Sequence, residues 1–559
     1  MRAVFKKIDQ LLPLIIVGCA AVLIFSSMMR ADIQHDDATY SFRSLTYLDY
    51  LNTVDRQTTP LLWFGAVPWW GVLSFHDHPP LVFLIQHLFF ILFGASTFVA
   101  RLPFALAGVT SVYLTILVGR KLYSRPVGLL AGGLLAILSY HTWASSIGYL
   151  ESIGLFLMLL ALHLFLIAVE HKKFFWAFGV ALGATLLTKY TMVFIVPALL
   201  LYVLVKKRQL FADWRFIGSL VLAALIFSPV LFYNFQMLQA RGHFDLQLSL
   251  LLHQDFSQDW PGITRDSGGL HFLTIGKVLS KTLSLPMLLL VIGAVVYLLV
   301  EYIRAFKEQR HLLLMSMLFF ATLLFGFIGA QARFLLVVTP FLMMGVSTAS
   351  WSVFEDVRHR FTMRSGYTIG VVVILAVFVF CELFYNINTN LLREPIGQPL
   401  RHYSSYRWPT GSFNQLEQFL FAERFGDIGY PKHIRTRADY RIDLSEYGGR
   451  DIFIYDPELN WFSTLWYFDR LSVFYGIPFI AAAGFATILP PDEWVAYFSE
   501  TKFDQVTLIV GESDTVLTST HNREEINLLV KDFISAGAHV KEINSGSGKH
   551  SFTLYTLSF

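Results

Sequence analysis

The chain has 559 residues, 55% of them hydrophobic and only 15% charged, with a formal net charge of +3. Near-neutrality at this size argues against a nucleic-acid or acidic-polymer partner. Stretches rich in Leu, Ile, Val, Phe and Ala recur from Leu11 to Tyr385, many near or above the roughly 20 residues that cross a bilayer core, which makes the chain a polytopic α-helical membrane protein.

Taken in chain order, eleven spans are predicted at about 11–30, 99–119, 127–143, 152–170, 174–188, 191–205, 216–235, 284–303, 311–329, 333–350 and 366–385. Cations near membrane ends stay on the cytoplasmic side. Arg2, Lys6 and Lys7 therefore put the N-terminus inside, and every second loop is basic, as at Arg120, Lys121 and Arg125 or at Lys206, Lys207 and Arg208. The loops 31–98, 144–151 and 236–283 then face outward, as does everything after Tyr385. The apolar run 80–94 carries Gln86 and His87, is short, and would break the alternation, so it is read as a helix lying in the outer interface. The string Ile16-Val-Gly-Cys19 faintly resembles a lipoprotein cleavage box, but the apolar segment continues to Met28, so the first span is expected to stay uncleaved. Cys19 and Cys381, the only cysteines, fall in predicted spans on opposite sides of the chain and suggest no disulfide.

Composition divides the chain into a membrane portion, 1–385, and a polar C-terminal portion, 386–559, expected to form an extracytoplasmic α/β domain. Asp451–Tyr455, Gln505–Val510 and His550–Leu557 read as strands, and Glu524–Ala536 as an amphipathic helix with Ile526, Leu529, Val530 and Phe533 at helical spacing. Trp408, Trp461 and Trp466 are equally suited to stacking on sugar rings and to forming that domain's core.

Chemistry is expected where polar residues gather on the outer side. The first outer loop opens with His35-Asp36-Asp37-Ala-Thr-Tyr40 and later holds Phe75-His-Asp-His-Pro-Pro-Leu81; Glu151 is an acid in an otherwise uncharged turn. Carboxylates at a membrane surface cost desolvation and mutual repulsion, and tend to persist where they bind a cation or take a proton. Lys189 and Arg333 are single cations at the outer ends of spans. A pocket with a carboxylate side and a cationic side suits a lipid-phosphate leaving group, with a carboxylate deprotonating an incoming hydroxyl.

These strings, in this order, resemble the GT-C glycosyltransferases, in particular the family 39-like group of protein O-mannosyltransferases and aminoarabinose transferases. The matching segments are Asp36-Asp37-Ala-Thr-Tyr40, Asp77-His-Pro-Pro-Leu81, Ala100-Arg-Leu-Pro-Phe-Ala-Leu106, Gly119-Arg-Lys-Leu-Tyr-Ser-Arg125, Leu187-Thr-Lys189 and Ala332-Arg-Phe-Leu-Leu336. The resemblance implies a GT-C fold that moves a sugar from a polyprenyl-phosphate donor to an acceptor hydroxyl of an envelope protein, lipid or glycan, at the outer face of the plasma (inner) membrane. It implies catalytic places for Asp36, Asp37 and Glu151 and donor-phosphate contacts for Lys189, Arg333 and His78; Tyr40 and, in the outer loop 236–283, Arg265 and His271 are candidates for substrate or lid contacts. Asp77 falls where relatives hold an acid near a divalent metal or the donor; no nucleotide or organic cofactor is expected, and no Gly-rich phosphate loop follows a predicted strand. Asp37 stands where the family motif has Glu, and His78 where aminoarabinose transferases have Lys. A flippase for a lipid-linked glycan and a whole-glycan ligase or polymerase are the competing readings, and fold does not choose among acceptors.

Overall fold

A computed structural model describes residues 2–50, 58–260, 271–304, 311–360, 365–392, 396, 412–426, 451–486, 489–490, 493–500, 503–512, 515–516 and 524–559. Each of the eleven predicted spans falls on a helical segment. Among the described residues seven helices are long and apolar enough to cross a bilayer: Gln10–Met28, Thr97–Leu122, Leu150–Ala168, Trp214–Arg241, Leu285–Arg304, Ala332–Arg358 and Val373–Leu391. Arg125–Ile137 and Ser139–Ser146 form an eighth candidate, bent by 63°. Leu81–Phe93, Tyr190–Lys206 and Leu312–Ile328 are shorter apolar helices, and Phe175–Leu186 has only 12 residues. The chain is a multi-pass membrane protein.

The described residues fall into two compact units, one made of 1–28, 67–85 and 101–406, the other of 29–66, 86–100 and 407–559. In the first unit, the bend at Leu138 leaves backbone groups that a bilayer interior cannot hydrate. Asn386 meets one of them, its Nδ2 donating to the Ile137 carbonyl at 3.0 Å, and it also donates to the Thr142 side-chain hydroxyl at 2.8 Å. Asn390 Nδ2 donates to the Ser139 carbonyl at 2.9 Å.

Helix contact in this unit relies on small residues, as lipid-facing helices must approach closely to gain dispersion energy. Gly179 and Gly183, four apart on Phe175–Leu186, face Ser219 and Ala223, four apart on Trp214–Arg241. A Cβ added at Gly179 would stand 2.5 Å from the Ser219 carbonyl oxygen and 3.0 Å from its Cα, both backbone atoms that cannot rotate away. Gly179→Ala is expected to destabilise the detergent-solubilised protein by ~1–3 kcal/mol through overpacking. A thermal-unfolding midpoint equal to that of the wild type would refute this close crossing.

The second unit is built on a five-stranded sheet in the order β2-β1-β3-β5-β4, with β1 Asp451–Tyr455, β2 Phe479–Ala481, β3 Gln505–Gly511, β4 His539–Asn544 and β5 His550–Ser558. β1 runs parallel to β2 and β3, and β5 antiparallel to β3 and β4. Alternate residues serve opposite faces, as strand geometry requires. Ile452, Ile454, Val506 and Leu508 meet Ile526, Leu529 and Phe533 of the Glu524–Ser535 helix in one cluster. Phe453, Tyr455, Ile509, Phe552 and Leu554 belong to another, shared with Phe413 and Leu416 of the Ser412–Leu420 helix and with Ile33, Phe42 and Phe90.

The segments 29–66 and 86–100 are bound into this unit by buried polar contacts as well. Asp32 accepts the amides of Phe413 at 3.0 Å and Asn414 at 2.9 Å, capping the Ser412–Leu420 helix from outside its own sequence. Arg470, 1% exposed, donates to the Ala95 carbonyl at 2.8 Å, pairs with Glu417 and lies 4.3 Å from the Trp466 ring centroid. Trp466 is itself core and donates to Thr97 Oγ1 at 3.2 Å. Trp461 is exposed against Phe462, and Trp408 lies outside the described residues.

Candidate functional site

In the first unit, the helix Phe175–Leu186 ends three residues before Lys189, whose extended backbone leads into the 3-10 turn Tyr190–Phe194. Glu151 occupies the first turn of Leu150–Ala168. These two segments bring the acid and the base together: Lys189 Nζ lies 2.5 Å from Glu151 Oε1. Both are buried, Glu151 at 0% and Lys189 at 5% exposure. Glu151 is thus an interior counter-ion, and its Oε2 has no hydrogen-bond partner among the described residues. A charge taken out of water must be paired or neutralised, so each residue holds the other in place.

Arg333 sits in the 3-10 segment Ala332–Val338, where Tyr140 donates its hydroxyl proton to the Ala332 carbonyl. Its guanidinium carbon is 5.3 Å from the Phe334 ring centroid, and Lys189 Nζ is 4.9 Å from the same ring. Phe334 therefore serves as a shared cation–π partner. His271, at the start of the Phe272–Thr282 helix, donates its amide to the Gly326 carbonyl at 2.8 Å, and its ring lies within 4.0 Å of the place a Gly329 Cβ would take. It thus adjoins the segment leading to Arg333. Arg265 lies outside the described residues.

The loop holding Asp77 and His78 is fastened to the Lys189 segment from one side, since the Leu81 amide donates to the Leu187 carbonyl at 3.1 Å. His78 Nδ1 is 3.1 Å and His76 Nε2 3.9 Å from the Asp77 carboxylate. From the other side the Leu246 amide donates to the His76 carbonyl at 2.9 Å. The following loop is locked by Asp245, which is 0% exposed. Its carboxylate accepts from Tyr190 Oη, from Asn234 Nδ2 at 3.0 Å and from the Leu248 amide at 3.0 Å, while its own amide donates to Asn234 Oδ1 at 2.8 Å. Burial raises the Asp245 carboxyl above the usual range, the donated hydrogen bonds pull it back, and nearby Asp77 adds to the rise. A second lock joins His243 Nε2 to Asp259 Oδ2 at 2.6 Å and Arg241 Nε to the same oxygen at 2.9 Å.

Sequence reading alone missed these two locks. The available signal was a lone amide, Asn234, inside an apolar span, with an acid eleven residues later. Such a polar group in a membrane helix calls for a partner.

Asp36, Asp37 and Tyr40 lie on the Asp36–Thr46 helix of the second unit. The two acids differ. Asp37 is buried and its Oδ1 accepts the His35 amide at 3.0 Å, fixing the helix start. Asp36 is partly exposed, and Tyr40 is buried. Among the described residues no group of three or more His, Cys, Asp and Glu side chains is arranged to hold a metal ion. No step is assigned to a metal.

Residues 77–233 match the family described as dolichyl-phosphate-mannose-protein mannosyltransferase. YycA of Bacillus subtilis, by name a provisional mannosyltransferase, is 30% identical over 156 residues, which cover 27% of this chain and 22% of that protein. The match thus spans less than a quarter of the relative. The crystal structure of ArnT from Cupriavidus metallidurans bound to undecaprenyl phosphate aligns over 97% of both chains, with 14% identity and a TM-score of 0.51. The fold is that of the GT-C glycosyltransferases. The oligosaccharyltransferase AglB from Archaeoglobus fulgidus, solved with an inhibitory peptide and a dolichol phosphate, aligns over 98% of this chain and 74% of its own, at 13% identity and a TM-score of 0.48. Of the candidate site residues, Asp77, His78, Glu151 and Lys189 fall inside the stretch that matches the family; Asp36, Asp37, Tyr40, Arg265, His271 and Arg333 fall outside it.

Proposed function

We propose that the chain is a membrane glycosyltransferase that moves a sugar from a polyprenyl-phosphate donor to an acceptor hydroxyl of the cell envelope, on the outer face of the plasma membrane with the N-terminus in the cytoplasm. The observation that carries the reading is the pair of cations, Lys189 and Arg333, set around one aromatic ring in a GT-C fold, with Lys189 held by a buried carboxylate. The bound undecaprenyl phosphate of the ArnT structure supports a lipid-phosphate donor, and the alternating basic loops support the orientation.

In the proposed reaction the acceptor hydroxyl attacks the anomeric carbon as the bond from that carbon to the phosphate oxygen breaks. The acceptor proton goes to the Asp36 carboxylate, and the polyprenyl phosphate leaves with the bonding pair. Lys189 and Arg333 stabilise the charge that develops on the leaving phosphate. A single displacement inverts the anomeric centre. Glu151 acts as the positioning residue of Lys189, and Asp37 as that of the helix start carrying Asp36. The role of Asp36 rests on its motif and its accessibility.

The test is transfer by purified protein in detergent, offering radiolabelled polyprenyl-phosphate hexoses and pentoses with an envelope extract. Label moving to an extract component supports the reading and identifies the acceptor class. Donor binding without transfer would replace it by a whole-glycan ligase or a transporter. Arg333→Ala is expected to weaken donor binding about tenfold or more, the scale of one charge-assisted contact, with acceptor titration unchanged. An unaltered donor titration would remove Arg333 from the phosphate site.

A further inference from the structure

The second unit contains a cavity of about 410 Å³ that has no part in the proposed transfer chemistry. Its floor is a single cross-strand row: Phe453 of β1 pairs with Thr507 of β3, Thr507 with Thr556 of β5, and Thr556 with His539 of β4. Partners directly opposite one another present their side chains to the same face. An aromatic ring, two hydroxyls and an imidazole therefore stand in line, with the Thr507 and Thr556 hydroxyls 3.1 Å apart. Two residues along β4, Lys541 pairs with Leu554 on the same face.

The other wall is the end of the Ser412–Leu420 helix and the π-helical turn Phe421–Phe425, which bring Phe419, Glu423 and Arg424 to the cavity. Arg424 is already engaged, bonding to Gln505 and lying 3.7 Å from the Asp451 carboxylate. Lys541 forms no ion pair among the described residues; its Nζ lies 5.8 Å from the Phe419 ring centroid. The cavity thus combines the partly exposed Phe419 ring, the Thr556 hydroxyl backed by the buried Thr507 hydroxyl, and a lysine that has no ion pair among the described residues, with the Glu423 carboxylate also in the lining, in a volume within the range of small-molecule sites.

Each feature matches one part of an anionic sugar. The C–H face of a pyranose packs on an aromatic ring, its hydroxyls exchange hydrogen bonds with threonine hydroxyls, and a carboxylate or phosphate pairs with the lysine. We propose that this cavity binds an anionic pyranose, one bearing a carboxylate or a phosphate, as a unit of an envelope glycan. Taking that glycan as the acceptor rests on the transferase reading; the binding itself does not.

The experiment is calorimetric titration of the full-length protein in detergent, without donor, using glucuronic acid, glucose 6-phosphate, glucose and inorganic phosphate. The expected result is saturable binding of at least one anionic sugar, with glucose and inorganic phosphate each about tenfold or more weaker. Lys541→Ala should bring that sugar to the level of glucose, and Thr507→Val with Thr556→Val should weaken all three sugars. Lys541 is exposed on the edge strand, so its variant should keep the wild-type thermal midpoint. Which of the two anionic sugars binds decides between uronate and phosphate. No binding of either, equal binding by wild type and Lys541→Ala, or inorganic phosphate binding as tightly as glucose 6-phosphate would overturn the proposal. Because no transfer is read, loss of this site and loss of the transferase reading give different results.

Discussion

Replacing Lys189 by methionine should cost the detergent-solubilised protein ~3–5 kcal/mol of stability, the usual penalty for stranding one member of a buried ion pair. The basis is geometric: Glu151 has no exposed surface, one of its oxygens lacks a partner among the described residues, and the other is held by Lys189. The double variant Glu151→Gln, Lys189→Met should recover most of the loss, because the amide carries no charge to strand. Thermal midpoints of the two variants decide the matter; a lone Lys189→Met protein as stable as the wild type would show that the pair is not formed. Both variants should fail to bind a polyprenyl-phosphate sugar, so stability and donor binding separate. Recovery of binding in the double variant would take Lys189 out of the phosphate site.

Asp36→Asn should lower the transfer rate by about 10²–10⁴, the span assigned to a positioned general base, while leaving the thermal midpoint in place. The partly exposed Asp36 carboxylate is replaced by an amide of the same shape. Asp37→Asn makes the sharper comparison. Its buried oxygen accepts the His35 amide, an interaction that the amide oxygen of Asn retains with less strength. Its expected effect is a small loss of stability, on the order of 1 kcal/mol, and a rate near that of the wild type. Wild-type turnover by Asp36→Asn, or a larger loss in Asp37→Asn, would reverse the roles of the two acids.

Much of the membrane portion was legible because a bilayer imposes its length and polarity on the sequence. The run 80–94, set apart from the spans by its short length and by Gln86 and His87, is the Leu81–Phe93 helix. In the second unit the strands at 451, 505 and 550 carry dense β-branched and aromatic residues and occupy the middle of the sheet. β2 has only three residues, too few for any alternation to register. β4 is an edge strand exposed at nearly every position, and its His-Val-Lys-Glu-Ile-Asn sequence reads as polar loop. The residue types of the site were also visible, but their pairings were not. Glu151 and Lys189 are 38 positions apart, and only the packing of two helix ends shows that they neutralise each other. The same holds for Asp245, which looks like an ordinary helix cap until Tyr190 and Asn234 are found on its carboxylate.

The way Asp32, Ala95 and Thr97 are used has a practical corollary. Each meets a group from beyond residue 407: the first turn of the Ser412–Leu420 helix, the Arg470 guanidinium and the Trp466 indole. Phe42 and Phe90 lie in the same apolar cluster as Phe413 and Phe552. A tail expressed from 407 onward would therefore have an uncapped helix, an Arg470 side chain without its carbonyl acceptor, and bare aromatic surface, the combination that drives self-association. The tail is not a cassette that can be transplanted between relatives by cutting at one linker. A chimaera that keeps it soluble has to carry 29–66 and 86–100 from the same parent.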